Sequence, residues 1–188
     1  GPGQFSKVSS ARDAAARLGV SEAQLVATAC GSWATRLRPH WQVLAAALPT
    51  LGQVKTMTRN DHAVIEKDGT YADVSLNGEH GLALGELDLR FSPRQWGSAF
   101  ATAELQPDGT YRRAVQLFDR QGASVHKLFV GQEAAAITAF DALVAALGDA
   151  RQDVDEAVEL APNVAAPVAD ASVDVTAFRA GWDALTDT

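Results

Sequence analysis

The side chain in this sequence best placed to do chemistry is Arg90. It lies in the run Leu87-Asp88-Leu89-Arg90-Phe91, with Trp96 six residues after it. Side chains alternate between faces along an extended strand. Leu87, Leu89 and Phe91 therefore turn one way, toward a core, while Glu86, Asp88 and Arg90 turn the other. A guanidinium on an open sheet face stays charged, donates hydrogen bonds in a planar fork and stacks on flat ligands. Its commoner role is a solvated charge paired with a neighbouring carboxylate, here Glu86 or Asp88, and such exposed pairs add little stability. Four histidines, His40, His62, His80 and His126, offer imidazole, but their spacing matches no zinc pattern. Arg112, Arg113 and Lys127 form a second cationic group, readable as an anion patch or as the solvated face of two strands. No glycine-rich phosphate loop, nucleophile elbow or His-Glu-x-x-His motif occurs.

The elements that must position these residues fall into three blocks. The first fifty residues read as helical. Residues 11–18 are alanine-rich and end at Gly19, Ser21 with Gln24 is a capping box opening a helix over 22–30, and Pro39 starts another that ends before Pro49. Between residues 51 and 130, Asp68-Gly69, Asn77-Gly78, Asp108-Gly109 and Gln121-Gly122 mark hairpin turns. Strands are predicted over 53–58, 62–66, 71–76, 82–91, 99–105, 111–119 and 124–130. Hairpin links of this length impose antiparallel pairing. From 132 to 147 the helical period returns: Ala136, Ile137, Phe140, Leu143, Val144 and Leu147 share a face, and Gly148 closes the helix. The fold class expected is α+β: a large antiparallel meander, a helical N-terminal segment and a long covering helix.

Composition narrows the partners. A net charge of -7 with 47% hydrophobic and 21% charged residues describes an ordinary core and argues against nucleic acid or an anionic membrane surface. No apolar run reaches the ~20 residues of a membrane helix, and no secretory leader is expected. The single cysteine, Cys30, fits a reducing compartment and a small buried residue. Gly1-Pro2-Gly3 resembles the scar of a cleaved fusion tag, so residues 1–4 are set apart. Residues 5–148 then form the main domain, and 149–173 an acidic, proline-containing linker in which 157–160 could add an edge strand. Residues 174–188 form a last helix bearing Phe178, Trp182 and Leu185.

Several short motifs occur together and in order: Thr58-Arg59-Asn60 before a strand, Leu87-Asp88-Leu89-Arg90-Phe91 with Trp96, Arg112-Arg113 leading into Gln116-Leu117-Phe118-Asp119, and Gly122 before His126-Lys127. In this the sequence resembles the N-terminal half of the cytoplasmic haem-utilisation proteins of the HemS, ChuS, HmuS and PhuS type, the haemin-degrading factor family. The resemblance runs from the Arg12-Asp13 helix to Thr188.

It implies one half of a tandem repeat, with residues 178–188 matching the first helix of the second half. The axial ligand to iron is then a histidine expected just after Thr188 and absent from this chain, so haem binding by this half alone is expected to be weak or absent. Arg90 matches the arginine on the distal face of haem b, and Arg112, Arg113 and Lys127 are candidates for a propionate patch. If the halves are repeats, His40 sits near the start of the helix equivalent to the one bearing the ligand, and becomes an alternative ligand; its plainer reading is a solvated helix-entry residue. The partners implied are haem, the missing C-terminal half and a haem oxygenase. Three roles remain open: haem trafficking for iron acquisition, oxygen-dependent haem degradation by the full-length protein, and a structural half that docks on its twin or forms a homodimer.

Overall fold

The computed structural model describes residues 5–59, 63–78, 80–87 and 89–160. The chain opens with helix α1 (Phe5–Leu18) and helix α2 (Glu22–Ala27). The predicted capping box is formed: the Gln24 amide donates to the Ser21 hydroxyl at 3.1 Å, and the Ser21 amide to Gln24 Oε1 at 2.9 Å. Helix α2 stops at Ala27, short of Cys30, and the chain then enters a strand, β1 (Ala34–Leu37), that helical patterning had hidden. Four residues are too few to show a period, so β1 exists because β7 (Trp96–Leu105) supplies its hydrogen bonds. Helix α3 (Trp41–Ala47) follows.

The strands form two sheets rather than one meander. Besides β1 and β7, they are β2 (Gln53–Arg59), β3 (Val64–Thr70), β4 (Ala72–Asn77), β5 (His80–Leu84), β6 (Leu89–Phe91), β8 (Tyr111–Asp119) and β9 (Ser124–Val130). The large sheet has the order β1-β7-β8-β9-β2-β3, and β4-β5-β6 makes a separate three-stranded sheet. One turn signal and one predicted strand read differently in three dimensions. Asp68-Gly69 lies within β3, opposite Lys55 and Val54, and the predicted strand over 82–91 is folded into β5 and β6 about a turn at Gly85, where φ is 111°. Asn77-Gly78, Asp108-Gly109 and Gln121-Gly122 do link antiparallel neighbours.

The core explains the layering. One face of the large sheet presents Val115, Leu117, Leu128 and Val130; they pack with Phe140, Leu143 and Leu147 of helix α4 (Ala134–Leu147), and with Leu87 and Phe91 from the small-sheet region. The opposite face carries Phe100 and Phe118, edge to face at 5.8 Å, under Ala23, Ala27 and the buried free thiol of Cys30. Burial pushes the Cys30 pKa up, which keeps it a protonated packing residue.

Residues 149–160 are not a loose linker. The Arg36 guanidinium, 5.0 Å above the Phe100 ring, pairs with Glu156 and donates to the carbonyls of Asp153 at 2.9 Å and Asp155 at 2.8 Å. Gln152 bonds both backbone groups of Arg36, and the Glu159 amide donates to the Arg120 carbonyl at 2.8 Å. The strap has no regular secondary structure and does not form the suggested edge strand. The expected tag scar (1–4) and final helix (174–188) lie outside the described residues.

Candidate functional site

Register fixes the direction of Arg90. Leu82 faces Arg90 across the β5–β6 pair and Ser75 across the β4–β5 pair, so these three side chains share one face of the small sheet. Gly81, Ala83, Phe91 and Leu76 belong to the other face, and Ala83 and Phe91 are buried against the large sheet. Arg90 is exposed on the outer face together with the apolar Leu82 and Leu84, the latter 47% exposed. Of the two candidate carboxylates, Asp88 lies outside the described residues and Glu86 is engaged elsewhere: its Oε2 accepts from the Thr70 amide at 3.0 Å and from its hydroxyl at 3.3 Å. Among the described residues Arg90 makes no ion pair. The face beside it thus carries Leu82, Leu84 and Ser75 and a guanidinium without an ion pair among the described residues.

His80 alternates with Leu82 and Leu84 and so falls on this outer face as well, diagonal to Arg90. The sequence offers His80 only as one of four histidines with no zinc spacing. Nothing but the β5–β6 register could bring it beside Arg90.

Beneath Arg90's strand lies a buried polar group. His126, 2% exposed, extends from β9 beneath the small sheet; its Nε2 meets the Tyr71 hydroxyl at 2.6 Å and its Nδ1 the Thr58 hydroxyl at 2.9 Å. Tyr71 immediately precedes β4, and Thr58 lies on β2. A neutral ring with its proton on Nδ1 satisfies both contacts: Nδ1–H donates to Thr58 and the tyrosine O–H donates to Nε2. Burial favours that neutral form, lowering the histidine pKa to about 4 and raising that of Tyr71 well above its usual value. The Phe91 ring stands edge-on to the imidazole at 5.5 Å. From there ring contacts continue to Trp96 at 5.6 Å and from Trp96 to Trp41 at 5.4 Å. The period-two pattern His126, Leu128, Val130 was the one sequence signal for this inward histidine.

The other candidates lie elsewhere. His40 is an exposed residue at the N-terminus of α3, without a side-chain capping bond, beside a cleft of about 420 Å³ lined by Trp41, Leu76 and Pro93. Leu76 belongs to the small sheet's inner face, so His40 and Arg90 address different sides of it. Arg112 pairs with Glu104 at 2.6 Å, and its guanidinium shares the Phe129 ring with the Lys127 ammonium, at 5.8 Å and 4.9 Å respectively. Burial lowers the Lys127 pKa. Arg113, one residue along β8, turns to the opposite face and stacks over Tyr111 at 5.6 Å. Arg112 and Lys127 thus lie on the large-sheet face away from His126 and the small sheet, and the expected three-residue patch is split between two faces. His62 is outside the described residues. No group of three or more His, Cys, Asp or Glu among the described residues could hold a metal ion.

Comparison with known proteins places this geometry in context. Residues 19–147 match the model of the haemin-degrading HemS.ChuX domain. The chain is 37% identical to the hemin transport protein HmuS of Yersinia pestis and 38% identical to HemS of Yersinia enterocolitica; in both cases the match takes in 99% of this chain and 52% of the relative. It superposes on holo-PhuS, a heme-binding protein from Pseudomonas aeruginosa, with a TM-score of 0.80 at 43% identity, covering 95% of this chain and 52% of that one. On ChuS, an E. coli heme oxygenase, the TM-score is 0.72 at 30% identity, covering 94% and 51%. The chain therefore spans about half the length of these relatives.

Proposed function

Since the chain belongs to the family of haemin-degrading HemS/ChuX domains, we propose that it binds haem b as cargo on the outer face of its small sheet. Haem taken up for its iron would be carried in the cytoplasm, and this unit would supply the distal side of the site. The observation that carries the reading is the position of Arg90, exposed beside Leu82 and Leu84 and unpaired among the described residues. A macrocycle is flat and apolar with anionic edges, and a strand face of two leucines and one guanidinium offers it stacking surface and a fixed cation. His80 on the same face adds a nitrogen donor of the kind haem iron accepts. Among the described residues no helix is long and apolar enough to cross a membrane.

The remaining ligand is proposed to come from the other half of a full-length protein, through the histidine expected just after Thr188. Arg112 and Lys127 lie on the large-sheet face away from the small sheet and Arg113 on the other, so in this reading the three do not act as one propionate patch. Haem degradation by the full-length protein is the second reading, favoured by the likeness to a chain described as a heme oxygenase. There the arginine's fixed donors would orient the reacting side of the ring, and a haem oxygenase partner would not be required.

Titration with haemin tests the site. Arg90→Leu should weaken binding roughly tenfold, the scale of a lost charge-assisted hydrogen bond, and shift the Soret maximum. An Arg90→Leu titration superimposable on the parent's would overturn the placement.

A further inference from the structure

The geometry points to His126 as the positioning residue that locks the three-stranded sheet, and Arg90 with it, onto the six-stranded one. Among the described residues the two sheets share no ladder hydrogen bonds. Among the described residues they are joined by the chain itself, which passes from β3 to β4 through Tyr71, by apolar packing, by the Glu86 bonds to Thr70 and by the hydroxyl of Tyr71 on His126. Apolar packing is non-directional and resists sliding weakly. A buried hydrogen bond with both partners fixed is directional, and breaking it strands a polar group away from water. His126 is held from both sides: Thr58 sets its ring in the large sheet, Tyr71 arrives from the root of β4, and Phe91 abuts its edge.

Phe91 follows Arg90 directly, so whatever fixes the phenyl ring beneath the sheet fixes the guanidinium above it. The backbone makes room for that ring. A Cβ added at Gly81, opposite Phe91, would lie 2.4 Å from Leu76 Cδ2 and 3.0 Å from Phe91 Cβ. His126 never touches the outer face. It acts through Tyr71 and Phe91.

The inference extends the haem reading, because Arg90 is the group being positioned, and two independent readouts separate them. Hydrogen exchange reports the lock without any ligand; haemin titration reports its use. Tyr71→Phe removes one hydroxyl from the interface. Amide exchange in residues 72–91 should then rise roughly tenfold while β7, β8 and β9 stay as in the parent. Asparagine and glutamine separate the two ring nitrogens, since the asparagine amide reaches the Nδ1 position and the glutamine amide the Nε2 position. His126→Gln should therefore keep slow exchange in residues 72–91, and His126→Asn should lose it. Exchange that rises evenly over both sheets, or that does not distinguish Gln from Asn, would overturn the lock. Haemin binding should weaken with Tyr71→Phe and His126→Asn and recover with His126→Gln. Arg90→Leu should weaken it without altering exchange. If Arg90→Leu leaves the titration unchanged while the exchange pattern holds, the haem placement fails and the lock stands.

Discussion

His126 gains its neutral state from burial, and that gives the protein a defined acid response. The folded form keeps this imidazole unprotonated down to about pH 4, whereas the unfolded chain takes up the proton near 6.5. Between those values the unfolded state binds more protons, so stability rises with pH across the window. The contribution is complete above about pH 6.5 and is lost as pH falls toward 4, by about 3 kcal/mol at most. Urea midpoints measured from pH 7 to 4.5 should fall more steeply for the parent than for His126→Gln; parallel slopes would show that another group dominates. Strand alternation alone made Arg90's outward direction legible in the sequence. It could not show that Glu86 is engaged by Thr70, or that His126 meets Tyr71, because both contacts join segments distant along the chain.

At the scale of elements, the strap over residues 149–160 shows where local pattern fails. Its composition reads as a linker, but Arg36 turns it into part of the domain. The Arg36 and Glu156 side chains are only 12% and 11% exposed, so removing the carboxylate leaves a largely desolvated guanidinium held by two carbonyls. Glu156→Ala should cost about 2 kcal/mol in chemical denaturation and speed exchange in the strap. A second element-level device is the irregular register at Trp96/Ser98. A Cβ at Gly97 would fall 2.6 Å from the Asp119 carbonyl and 2.8 Å from Arg120 Cα, both backbone atoms that cannot swing away. Gly97→Ala should therefore lower the thermal midpoint, by about 1–3 kcal/mol of stability. The long strands and α4 were legible because each runs through several periods. The four-residue β1 and the fold-back at Gly85 were not, since each is specified by its neighbours in space.

For the whole molecule, the two-sheet arrangement assigns separate tasks to separate faces. Arg90's surface lies outside the small sheet, while Arg112, Lys127 and Phe129 occupy the far face of the large one. Lengthening the chain to include the histidine expected after Thr188 should sharpen the Soret band and tighten haemin binding; an unchanged spectrum would count against a ligand from that segment. Lys127→Ala, acting across the sheet from Arg90, should leave haemin affinity within about twofold. The α+β class and the family resemblance were both readable from ordered short motifs. The division of Arg112 from Arg113 follows from the same strand alternation, whereas the pairing of Arg112 with Glu104 depends on the β7–β8 register and was not readable.

The clasp around Arg36 also bears on how the molecule breaks. Arg151 is exposed, whereas the contacts from Gln152, Glu156 and Glu159 all lie downstream of it. A tryptic nick there should sever the backbone without releasing the tail: the two pieces should comigrate on a native gel and separate only in denaturant. Covalent continuity at that point is dispensable, because the fragment's hold on the body is noncovalent and already made.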